Sequence, residues 1–240
     1  MGEIKRGILG GVNGKVGTVV GATWKEISYV RALPINVENP RTPKQLHQRA
    51  KFATTIALLR PLVPYVRHGY RLLADDKTGY NAAVSYIMQH AIEGSGTQLS
   101  IDYERVLMAR GNLMPVFGAK AVVEEGSIAF SWNDNSGMGD ALETDLAMPL
   151  VYNKARQQAI YSLAAAGRNE SGFSMELPDE WNGEPLAVYL AFCSEDGKGQ
   201  TNSQCLINDE YTPEADEPTG DNTGGSTSGD DDTQLEDPLG

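Results

Sequence analysis

An α+β fold is predicted by three observations taken along the chain. A glycine-rich opening passes into β-branched residues, helical periodicity runs from about residue 42 to 93, and from about residue 119 the period shortens to the alternation of strands. With 240 residues, 40% of them hydrophobic and 22% charged, the chain can bury one sizeable core or two small ones. The expected organisation is a glycine-rich arm and β-hairpin over 1–41, a helical region over 42–115, an antiparallel β-sandwich over 116–208 and a disordered acidic tail over 209–240.

The opening reads GILGGVNGKVGTVVGA over residues 7–22, a flexible arm leading into a strand. WKEISYVRAL follows as a second strand and stops before Pro34. Two strands alone are marginal in water, so this head is expected to pack on its own helices or on another subunit. The glycines do not make a phosphate loop. The string from Gly10 to Val16 is one residue short, places Val16 where a hydroxyl must meet magnesium, and leads into strand formers. Nor does a βαβ unit follow for a dinucleotide, which leaves tight turns and close backbone packing to explain them.

A helix start is written at NPRTPKQLHQRAKF, where Thr42 can cap, Pro43 occupies the first helical position and Gln45 can reach back. Leu46, Ala50, Ala53 and Ala57 then share one face, expected inward, with Lys44, His47, Gln48, Lys51 and Thr55 on the opposite, basic face. Pro61 and Pro64 should end or kink this helix. A second runs from Thr78 to Glu93, with Tyr80, Val84, Ile87 and Ala91 inward and Gly94 as its stop.

Seven strand segments follow, at 119–124, 127–132, 146–152, 159–165, 172–177, 186–193 and 204–207, separated by turn clusters such as NDNSGMGD and SEDGKG. Seven short strands over ninety residues suit an immunoglobulin-like or fibronectin type III-like sandwich with Trp132 and Tyr189 as core anchors. A symmetric last hairpin would face Cys193 towards Cys205, although reduced core thiols are the expectation in a cytoplasmic protein.

These residues resemble a domain-of-unknown-function family of Bacteroides-type bacteria. The likeness is carried by GKVGTVVGATWKEISYVRALP, NPRTPKQLHQRAKF, SIAFSW, VYNKARQQAI, LPDEW with VYLAF, and TNSQCL. It implies a helical head joined to a sandwich and no established activity. The NPRTPKQ segment is also similar to segments of small phage-associated and mobile-element proteins, which implies a structural or assembly role. Glu26 stands where that family has glycine, Cys205 where it has an aromatic residue, and the acidic tail is an addition.

Charge supplies the remaining signal. The net charge is −12, but residues 1–72 carry +9, residues 73–208 carry −10 and the rest −11. Such a chain can orient against a polyanion or against the acidic part of a second copy. Lys15, Lys25, Arg31, Arg41, Lys44, Arg49 and Lys51, with Trp24 and Tyr29 among them, combine phosphate-neutralising and stacking groups. They are the candidate contacts to a protein partner or to nucleic acid. The tail has only Leu235 and Leu239 as large apolar groups and should stay solvated. His47, His68 and His90 lack metal-ligand spacing, no nucleophile elbow occurs, and no apolar run approaches the ~20 residues of a bilayer span. No cofactor, metal or small-molecule substrate is therefore expected, and the protein reads as a non-enzymatic interaction protein without an export signal.

Overall fold

The computed structural model describes residues 3–4, 12–24, 27–33, 41–73, 77–96 and 98–211. Lys25, Glu26, the Asp75–Asp76 pair and the acidic tail from Thr212 onward lie outside the described residues. The fold is α+β with several antiparallel sheets. The chain forms two compact units, one from residues 1–55 and 92–101, the other from 56–91 and 102 onward. The boundary expected at 115/116 falls inside the larger unit.

The smaller unit holds a four-stranded antiparallel meander in chain order: β1 (Glu3–Ile4), β2 (Val12–Val16), β3 (Val19–Trp24) and β4 (Ile27–Ala32). Strand structure is thus already present at Glu3–Ile4 and from Val12, within the expected arm. Gly17, at φ +57°, makes the turn from β2 to β3. Gly21 is required by proximity, since a Cβ there would fall 1.8 Å from the Val12 carbonyl oxygen. The rest of the unit is the first part of α1 (Pro43–Leu59) and a hairpin of β5 (Ile92–Ser95) with β6 (Gln98–Ile101). The Thr42 capping box is present. Thr42 Oγ1 accepts from the Gln45 amide at 3.4 Å, and Gln45 Oε1 accepts from the Thr42 amide at 3.3 Å.

The face of α1 is reversed from the expectation. Leu46, Ala53 and Ala57 are exposed, whereas Thr55, Leu58 and Leu59 are buried. An alanine stripe has little area to bury. The Thr55 hydroxyl donates to the Lys51 carbonyl at 2.8 Å, so its polar atom is satisfied within the helix. The second correction is the hairpin β5–β6, which occupies residues expected to be a helix end and linker. The helix before it, α3 (Gly79–His90), starts on Thr78, whose side chain accepts from the Asn81 amide at 3.2 Å.

In the larger unit a 3-10 turn at Arg60–Leu62 carries the chain into α2 (Val63–Gly69), the break being set by Pro61. Seven strands then form two antiparallel sheets. The first comprises β7 (Phe117–Glu124), β8 (Ser127–Asn133) and β11 (Gly172–Glu176) in the order β11-β8-β7. The second comprises β9 (Leu146–Asn153), β10 (Gln158–Tyr161), β12 (Leu186–Cys193) and β13 (Gln204–Asn208) in the order β10-β9-β12-β13. β10 ends at Tyr161 rather than Ala165, because the Ser162 hydroxyl accepts from the Ala164 amide and turns the chain.

Ile128, Phe130 and Trp132 from the first sheet pack with Val151, Val188 and Phe192 from the second in one core. All eight residues of β12 are buried, so its other face is covered too. There Tyr65 of α2 donates to the Met148 carbonyl at 2.9 Å and Tyr189 donates to the Tyr103 carbonyl at 2.7 Å. Tyr189 is therefore an anchor on the far side of its sheet, against the turn at Tyr103, while Trp132 anchors the contact between the sheets. Register also separates the cysteines. Cys205 lies opposite Tyr189 because the pairing shifts between Val188 and Tyr189, and Cys193 pairs with Gln200. Both thiols are free. No helix among the described residues is long and apolar enough to cross a membrane.

Candidate interaction site

β3 and β4 are rich in β-branched residues and pair over six positions, which fixes which side chains share a face. Lys15 lies opposite Val20 and Val20 opposite Arg31, so two cations stand on one face of the sheet, two strand spacings or about 10 Å apart. Tyr29 lies two residues from Arg31 on that face and is 44% exposed. The opposite face carries Val16, Val19 and Val30, each at least one-third exposed. β4 is the edge of its sheet and is exposed at all six positions. An exposed apolar edge strand offers an unpaired row of backbone donors and acceptors to another strand.

The candidates on and just before α1 do not join this row. Lys44 and Lys51 lie seven residues apart on one side of α1, with Lys51 half-buried. Arg49 is exposed roughly 140° round the helix axis from Lys44. Arg41 is exposed just before the helix cap. Trp24 pairs with Ile27 at the end of β3, and Lys25 is outside the described residues. Sequence reading found the cations Lys15 and Arg31 but not the apolar surface around them. The signal for that surface was the proline-free run ISYVRA, whose one charge is Arg31.

The prominent polar groups of the larger unit bind its own backbone and loops. Arg168 and Asp145 are fully buried as an ion pair at 3.0 Å. The same guanidinium donates to Asn135 Oδ1 at 2.8 Å and to the Met114 carbonyl at 3.0 Å. It also lies 4.8 Å from the centre of the Phe192 ring. Burial lowers the pKa of Arg168, and the Asp145 carboxylate opposes that shift. Arg156 holds Glu180 at 2.6 Å and Glu184 at 2.9 Å. Lys154 is buried, donates to Asn208 Oδ1 at 2.7 Å and lies 4.4 Å from the centre of the Tyr103 ring. None of these pairings was legible, because each joins residues 23 or more positions apart in the chain.

The histidines occupy separate settings. His47 Nδ1 lies 3.0 Å from the Gly96 carbonyl oxygen. His90 is exposed and stacks on Tyr86 at 4.3 Å between ring centres. His68 is half-buried, and burial first, then Arg71, lowers its pKa.

No curated protein and no solved structure matches the chain. The model of DUF6266, a family of unknown function, matches residues 11–207, and the chain belongs to that family.

Proposed function

We propose that this chain is a non-enzymatic structural or interaction protein, an assembly component related to those of phage or mobile elements, whose smaller unit carries the contact surface. The observation that carries this reading is β4, six residues exposed on both faces and along an open edge. Val16, Val19, Ile27, Tyr29 and Val30 of this four-stranded layer are exposed, and sheets are stabilised by a covering layer, which in this reading a partner supplies. The larger unit supports the reading as a rigid scaffold. Its two antiparallel sheets, in the orders β11-β8-β7 and β10-β9-β12-β13, support reading it as a fibronectin type III-like, and more broadly immunoglobulin-like, sandwich. Trp132 and Phe192 meet edge to face at 5.3 Å in that core. Deleting residues 1–33 abolishes self-association in light scattering while the larger unit stays folded. Self-association that persists unchanged without residues 1–33 defeats the proposal.

A second reading, nucleic-acid binding, is favoured by Lys15, Arg31 and Tyr29 on one sheet face. The acidic tail would compete for that face, so removing residues 212–240 tightens a salt-sensitive gel shift. A shift that ignores salt, or none at all, removes this reading.

A further inference from the structure

We infer that the partner of β4 is the larger unit of a second copy of this chain, docked at the β7–β8 end of its three-stranded sheet. This rests on the assembly reading above and names its partner.

Charge selects between the possible pairings. Lys15 and Arg31 stand on one face of the sheet that β4 edges, so two such surfaces meeting edge to edge would bring like charges together. Residues 73–208 carry the opposite excess, eighteen acids against eight cations. Within them β7 is the edge of its sheet, with Val122 56% exposed and Val123 44% exposed. Its end opens on a cleft of about 340 Å³ with Val123, Leu177 and Trp181 as apolar lining and Glu124, Glu125 and Asp179 as acidic lining. Side chains at the open end of a sheet lack the neighbours that cover the rest of the core, which is why Val123 is exposed although Ala119 and Ala121 on the same face are half-buried.

The two surfaces complement one another. β4 presents an open edge, apolar side chains, Tyr29 and the Lys15–Arg31 pair, while β7 presents an open edge, two exposed valines and a carboxylate-lined apolar cleft. Strand addition joins the backbones, and the cleft takes an aromatic or cationic side chain with its charge against Glu124, Glu125 and Asp179. Because different surfaces meet, the contact is heterologous. Every copy carries one donor and one acceptor surface, so each open assembly keeps one of each free at its ends, and growth gives a ring or a filament.

The experiment uses the full chain and reversals at exposed positions. Sedimentation of the native protein at rising concentration shows species larger than a monomer at low salt. Lys15→Glu with Arg31→Glu, or Glu124→Lys with Glu125→Lys, weakens association more than about tenfold. An equimolar mixture of the two variants restores it, because each altered surface then finds its complement. Circular dichroism of each variant verifies that the fold is retained, and restoration in the mixture is itself independent of that control. Association that neither reversal weakens, or a mixture that stays monomeric, overturns the docking of β4 on β7 of a second copy but leaves the assembly reading in place. A native chain that stays monomeric at all concentrations and binds no other protein overturns both.

Discussion

β4 and β12 are both short strands of mainly apolar residues, yet the first is exposed at all six positions and the second buried at all eight. The difference lies in layering. β12 has a neighbouring strand on each edge, the three-stranded sheet over one face and the helical segments over the other. β4 has β3 on one edge. Composition therefore sets which residues can be buried, and the number of layers the rest of the chain provides sets which ones are.

The largest break in that contrast comes from the polar group most deeply enclosed. Arg168→Ala leaves the Asp145 carboxylate buried without its counter-charge and should cost about 3–5 kcal/mol in urea unfolding of the larger unit. Replacing both residues by apolar ones of similar volume should cost less than Arg168→Ala alone. Next in size is Tyr65→Phe, which leaves the Met148 carbonyl without its donor and should cost about 1–3 kcal/mol.

The tyrosines sharpen the contrast through pH. Burial raises the phenol pKa of Tyr65, Tyr70, Tyr152 and Tyr189, and that of Tyr103 to about 12. A raised phenol pKa means that the fold favours the protonated form. The associated stability is fully present below the ordinary value near 10 and is lost as pH rises through it towards 12. Alkaline titration followed by near-ultraviolet circular dichroism should unfold the larger unit above pH ~10. Smaller is Thr42→Ala, which removes the cap of α1 and should cost about 1 kcal/mol by thermal melting. Smallest on overall stability is Gly21→Ala. The new methyl collides with the Val12 carbonyl, so the β2–β3 pair loses amide-exchange protection while the melting of the larger unit is unchanged.

Local chemistry was the legible part of this fold. The capping box at Thr42 and the Pro61 break are written within a few residues, and the strands of the larger unit announce themselves by alternation and turns. Properties set by distant layers were not. The alanine stripe of α1 looks like a buried face by period, but Leu58 and Leu59 decide which side is enclosed. A symmetric last hairpin would oppose Cys193 and Cys205, but the pairing places Cys205 opposite Tyr189, four positions from Cys193. The hairpin β5–β6 hides in a segment that reads as linker, made possible by Gly94 and Gly96 at positive φ. At the candidate site the cations could be read as residue types, but their sharing of a face follows from the Lys15–Val20–Arg31 register, which charge counting does not contain.

The closure of the larger unit has a consequence for the order of its assembly during synthesis. The Gln200 amide donates to the carbonyl of His68, 132 residues earlier in the chain, and the Ser203 hydroxyl accepts from the Met108 amide, 95 residues earlier. A ribosome has therefore released nearly all of this unit before α2 and the segment at 108–109 meet their final partners. The unit cannot be completed from its N-terminal end, and a chain arrested before residue 200 leaves the outer helical layer unfastened and open to a chaperone.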